Sequence, residues 1–94
     1  MGYSMDETIT NLNPQFDSRK SFYKKARVKT EDNKIILISY NTEVIIIENN
    51  KPFLNPNYTN ISNTTLRHIK EFLKQNGFKA DSKSQILADY KEDL

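Results

Sequence analysis

Residues 34–48 read KIILISYNTEVIIIE, from Lys34 to Glu48, two β-branched runs joined at Tyr40-Asn41-Thr42. Alternate residues of a strand point to opposite faces. Ile35, Leu37, Val44 and Ile46 therefore cannot share a single face with Ile36, Ile38, Ile45 and Ile47. A hairpin that is apolar on both faces needs cover on both, and this requirement organises the reading of the rest of the chain.

Upstream, Phe22 opens an alternating segment in which Phe22, Ala26 and Val28 face one way and Tyr23, Lys25, Arg27 and Lys29 the other, a half-buried strand with a basic outer face. Glu31-Asp32-Asn33, Asn41-Thr42 and Asn49-Asn50 punctuate the strands, because asparagine and aspartate tolerate the left-handed conformations of tight turns. The expected sheet is a three-stranded antiparallel meander. Lys51–Leu54 offers a short fourth strand that Pro52 would confine to an edge.

Helices flank the strands. Ser4 with Glu7 is a capping-box pattern, and Met5, Ile9 and Leu12 recur at helical spacing, so a short N-terminal helix is expected, ended by Asn13-Pro14. Phe16 to Ser21 reads either as an irregular connection, the favoured reading, or as one helical turn capped by Asp17 or Ser18, and Asn55 to Ser62 reads as a loop. The main helix is expected over about 64–76, capped by Asn63, Thr64 or Thr65, with Leu66, Ile69, Phe72 and Leu73 as its apolar stripe and Gly77 at a left-handed C-cap. Ser82 with Gln85 starts a short C-terminal helix carrying Ile86, Leu87 and Tyr90. Helix, three strands, helix and helix make one small α+β domain over residues 1–94, with neither internal repeat nor linker.

Composition narrows the chemistry. At 94 residues, 36% hydrophobic and 28% charged with net charge +2, the chain supports one modest core and a mild basic excess. It has no cysteine, hence no disulfide framework, thiolate metal site or thiol nucleophile, and a reducing cytoplasm suits it. Met1 to Leu12 lacks the apolar core of a secretory signal, and the apolar run from Ile35 to Ile47 is too short and too interrupted to span a membrane. The sequons at Asn57, Asn60 and Asn63 reflect an Asn- and Thr-rich loop.

The strings Leu12-Asn13-Pro14-Gln15-Phe16-Asp17-Ser18-Arg19, Ser21-Phe22-Tyr23, Ser39-Tyr40-Asn41-Thr42 and Thr64 to Phe78 (TTLRHIKEFLKQNGF) resemble small uncharacterised proteins of phages and prophages in low-GC Gram-positive bacteria. The resemblance spans Leu12 to Phe78, and its helix segment is the most specific part. It supplies no activity. It implies a phage setting, with roles such as a transcription or replication accessory, a small DNA-binding factor or an anti-CRISPR-like inhibitor of a host defence nuclease.

Catalysis is not expected. His68 is the sole histidine, and neither a cysteine nor a second histidine completes a constellation around it, so a structural contact with a cap or the sheet is the simpler reading. Asp6-Glu7, Glu31-Asp32 and Glu92-Asp93 lie at caps, turns or termini and lack calcium-loop spacing. Gly2 and Gly77 are the only glycines, which excludes a glycine-rich phosphate loop. No cofactor or metal is called for.

Two binding surfaces suggest themselves. Arg19, Lys20, Tyr23, Lys25, Arg27 and Lys29, with Arg67, Lys70 and Lys74 along the main helix, form a basic set for nucleic acid or an acidic partner, interrupted on the helix by Glu71. The double-stranded RNA-binding domain shares the strand and helix order but wants a lysine cluster at the start of its second helix. Here there is only Arg67. Tyr40, Phe53, Tyr58 and Tyr90 are candidate anchors for a host or phage protein or for a second copy of the chain, as a homodimer. The expectation is a non-enzymatic binding protein, most concretely an anti-defence inhibitor, with nucleic-acid binding as the alternative.

Overall fold

The computed structural model describes residues 8–56 and 61–91. Five strands follow one another across a single antiparallel sheet: β1 (Thr8–Asn11), β2 (Ala26–Glu31), β3 (Lys34–Ser39), β4 (Thr42–Glu48) and β5 (Lys51–Leu54). Two helices come after it, α1 (Asn63–Gln75) and α2 (Lys83–Tyr90). The α+β class and an antiparallel meander agree with the sequence reading, but the sheet has five strands where three and a possible fourth were expected; β5 is the edge strand to which Pro52 restricts it.

Several expectations need correction. The described part of the expected N-terminal helix, Thr8–Asn11, is a strand paired with β2 from Thr8↔Thr30 to Asn11↔Arg27. Thr8, Ile9 and Thr10 are β-branched and have a partner edge available, which outweighs a two-point helical spacing. Ser4, Met5 and Glu7 of that reading lie outside the described residues. The basic strand begins at Ala26 rather than Phe22, because Tyr23 and Lys24 sit at φ 53° and 63° and break the alternation before it starts. On α1 the cap is Ser62, whose Oγ accepts the Thr65 N–H at 3.1 Å, one residue before the first of the three expected, Asn63, Thr64 and Thr65.

The C-terminal signals behave as read. Gly77 takes φ +82°, and the Phe78 N–H donates to the Leu73 carbonyl at 2.9 Å, so the chain folds back onto the last turn of α1. Ser82 caps α2 by accepting the Gln85 N–H, and Gln85 Oε1 accepts the Asp81 N–H in return.

Register decides which isoleucines go where. Leu37 pairs with Ile45 but Ile38 pairs with Glu43, so β4 carries an extra residue, Val44, at a bulge. Past the bulge Ile35 and Leu37 share a face with Ile47 and Ile45, not with Val44 and Ile46. That face, with Ala26 and Leu54, meets Ile69, Phe72 and Leu73 of α1 and Ile86 of α2 in one core. The bulge lets both Val44 and Ile45 be completely buried there. Each such side chain contributes roughly 1.5–3 kcal/mol relative to exposure.

The opposite face holds Ile36 and Ile38, also buried, yet outside that core. Across β3, Lys29 Nζ on β2 reaches Glu43 on β4 at 3.1 Å, and Arg27 donates to Asn41 Oδ1 at 2.7 Å. These bridges carry aliphatic stems over the middle strand, so long polar side chains provide the cover for which a third helix was expected.

Candidate functional site

Four large hydrophobic residues are exposed among those described: Ile9, Phe16, Tyr23 and Tyr40. Three of them lie along one side of the molecule, where three adjoining depressions form a groove. The first is lined by Asn11, Lys24, Lys25, Arg27, Tyr40 and Asn41. It shares Lys25 and Tyr40 with the second, about 280 Å³, which adds Arg19, Phe22, Tyr23, Arg67 and His68. Arg67 leads on to the third, with Phe16, Asp17, Lys70 and Lys74.

Local chain geometry builds this groove. A two-residue turn, Tyr40-Asn41 at φ 52° and 72°, closes β3 onto β4. Of the seven non-glycine residues at positive φ among those described, four are Asp or Asn, which accept it readily. The others, Tyr23, Lys24 and Tyr40, all line the groove. A bulky L-residue held there costs about 1–2 kcal/mol. Such strain persists where surrounding structure fixes it, and it concentrates at functional sites.

The far wall is the segment 15–17, which Glu71 holds. Its carboxylate accepts the backbone N–H groups of Gln15, Phe16 and Asp17 at 2.8, 2.9 and 3.0 Å, and Gln75 donates to it as well. Glu71 is 1% exposed, so it turns inward and does not interrupt the basic stripe of α1 as its sequence position suggested. Asp17 in turn accepts from Arg67 at 2.8 Å. The acidic residues along the groove are thus already engaged.

At its floor, Ser39 Oγ lies 2.8 Å from His68 Nδ1 and 3.0 Å from Thr65 Oγ1. The imidazole stands edge-on to Phe22 at 4.6 Å and tilted against Tyr40 at 5.7 Å. Burial lowers the His68 pKa from 6.5, and nearby Asp17 opposes the shift. His68 is 1% exposed, a buried ring beneath the second depression. His68 contacts the sheet through Ser39, as a structural histidine would.

The structure gathers Arg19, Tyr23, Lys25, Arg27, Arg67, Lys70 and Lys74 from the basic set along this groove. Lys29 instead spans the sheet to Glu43, and Lys20 is exposed beside the groove without lining it. The proposed protein anchors do not meet. Tyr40 is in the groove, Phe53 pairs with Ile46 on β5, Tyr90 donates to the Lys79 carbonyl at 2.7 Å and Tyr58 is outside the described residues. Phe16 and Lys24 were missed from the sequence, Lys24 because unbroken alternation placed it on the buried side. Among the described residues no His, Asp and Glu cluster could hold a metal ion, and no helix is long and apolar enough to cross a membrane.

Residues 10–88 match the model of a family of unknown function (DUF8033). No curated protein and no solved structure matches the chain.

Proposed function

The chain belongs to that family, and from the groove it forms we propose that it binds single-stranded nucleic acid. The observation that carries this reading is the interleaving of exposed Phe16, Tyr23 and Tyr40 with Arg19, Lys24, Lys25, Arg27, Arg67, Lys70 and Lys74. Cations along such a track release counterions from phosphates, and unpaired bases stack on the aromatic faces. Duplex grooves offer no stacking face for these rings. In this reading the protein acts by binding, without a catalytic step, as a phage accessory factor of the host cytoplasm, a setting that the resemblance over Leu12 to Phe78 supports.

A second reading puts the same groove against an acidic surface of a host defence nuclease, with Tyr40, 49% exposed beside Lys25 and Arg67, as its anchor. Fluorescence anisotropy with labelled single strands and duplexes across a salt series separates the two. Single-strand binding should weaken with log salt at a slope of about −0.7 per phosphate neutralised. It should also be lost in a Lys24→Glu, Lys25→Glu double variant. Absence of binding at low salt would discard the nucleic-acid reading and favour the protein partner.

A further inference from the structure

The two edges of the sheet are built differently. The Leu12 N–H donates to the Ala26 carbonyl at 2.9 Å, in register with Thr10↔Val28 and Thr8↔Thr30. Bonded and unbonded pairs alternate along an antiparallel ladder, so Thr8 and Thr10 are the residues of β1 that bond to β2. The backbone N–H and C=O groups of Ile9 and Asn11 therefore point away from β2, on the side where the sheet ends among the described residues. At the other edge the Asn55 N–H donates to the Val44 carbonyl, which turns Pro52 and Leu54 of β5 outward by the same alternation. Proline has no N–H to offer and Lys51 beside it is charged, and both discourage a further strand. β1 carries neither protection. Thr8–Asn11 is uncharged, free of proline and exposed throughout, and Ile9, 50% exposed, is the large exposed hydrophobic that the groove leaves unused.

We propose that β1 is a docking edge for a second copy of this chain, the two β1 strands pairing antiparallel about a two-fold axis at Thr10. In that register Ile9 exchanges backbone bonds with Asn11 of the second copy, and symmetry repeats the exchange, so the outward groups of both residues are used. Thr10 then faces its own counterpart as an unbonded pair, where side chains come closest and two threonines interact favourably. An uncharged strand meets its own copy without setting like charges opposite each other, and it offers a charged partner nothing to recognise. A few backbone bonds over a four-residue strand make a small contact of the transient class, so the dimer forms at high concentration and dissociates on dilution. The pairing requires no ligand and stands apart from the nucleic-acid reading. Asn11 also lines the first depression of the groove, and across the axis the two Asn11 residues come to about 7–8 Å from each other, so the two grooves begin side by side.

Sedimentation equilibrium from about 10 µM to about 1 mM tests the pairing: the average mass should rise from that of one chain towards that of two. Ile9→Lys, which charges the edge, should raise the concentration needed for this at least about tenfold. Ile9→Pro, which removes an outward N–H without removing a bond to β2, should do the same, and it serves if the first variant fails to fold. The register has its own readout. The chain has no cysteine, so Thr10→Cys introduces a single thiol whose counterpart across the axis lies at a Cα spacing of about 4.5 Å, within reach of a disulfide. Mild oxidation should link Thr10→Cys into a dimer at least about tenfold faster than Asn11→Cys, whose counterparts are too far apart to bridge. A mass that stays at one chain up to about 1 mM would overturn the proposal, as would association indifferent to both Ile9 substitutions. Equal cross-linking of the Thr10 and Asn11 variants would overturn the two-fold register.

Discussion

The sheet has two tight turns of the same length at opposite ends of β4. At one end Asn49-Asn50, at φ 53° and 65°, connects Glu48 to Lys51. At the other, Tyr40-Asn41 adopts nearly the same angles. Asparagine is the residue such a turn favours, whereas tyrosine pays for the left-handed conformation. The costly residue stands in the groove, over His68 and beside Lys25, while the asparagine pair has no such surroundings. Backbone demand alone would make both turns asparagine, so the difference points to what the Tyr40 ring contacts.

The strongest way to break the comparison is to dismantle the wall at the Tyr40 end. Glu71→Ala leaves three N–H donors at Gln15, Phe16 and Asp17 without their acceptor. The expected loss is about 3 kcal/mol of unfolding free energy by urea titration. At the Asn49 end, Glu48→Ala should stay within about 0.5 kcal/mol. Glu71→Gln, which keeps one acceptor oxygen, should fall between them. If Glu71→Ala proves as mild as Glu48→Ala, the segment 15–17 is held by something other than this carboxylate.

Next in size is a charge contrast between the two ends. Lys25→Glu should weaken single-strand binding about tenfold at low salt, a change equivalent to about 1.4 kcal/mol, whereas Lys51→Glu beside Asn49-Asn50 should leave it unchanged. Equal losses would mean that net charge, not the groove, determines binding.

Much of this was legible in the residues. The doubly apolar Ile35–Ile47 hairpin, the α1 stripe with Gly77, and the Ser82 cap are local patterns whose partners lie within a few positions. What escaped was set by distant contacts. β1 depends on an edge of β2 sixteen to twenty-two residues away, and the burial of Glu71 depends on backbone N–H groups over 50 positions upstream. The Val44 bulge exchanged the partners of Ile35 and Leu37 without any mark in the alternation. Most of the basic residues lining the groove can be picked out one by one in the sequence, but their alignment with Phe16 and Tyr40 comes from the turns at Tyr23-Lys24 and Tyr40-Asn41.

Exchanging the turn residues sharpens the comparison at about 1 kcal/mol. Asn49→Tyr places a bulky residue at φ 53° without a groove to receive it and should destabilise the fold by about 1 kcal/mol. Tyr23→Asn, at the other strained position and 75% exposed, should raise stability by up to about 1 kcal/mol while weakening single-strand binding. A gain in stability accompanied by unchanged binding would mean that the strain at Tyr23 serves no ligand.

The smallest expected effect is a pH dependence confined to the groove end. His68 is held below its ordinary value by burial, and Asp17 only partly opposes this. Arg19, Lys25 and Arg67 line the same depression and Asp17 is paired with Arg67, so the surroundings of the ring are mainly cationic. Below pH 6.5 the unfolded chain takes up a proton that the folded chain refuses, so stability should fall as pH drops through that value and level off once the folded imidazole also titrates. Above it, His68 contributes no slope. Urea midpoints measured at about pH 8 and about pH 5.5 should therefore differ in the parent, and His68→Gln should reduce the difference by the part this ring contributes. An undiminished difference in His68→Gln would assign the slope to carboxylates instead, and the imidazole would then titrate as freely in the fold as out of it.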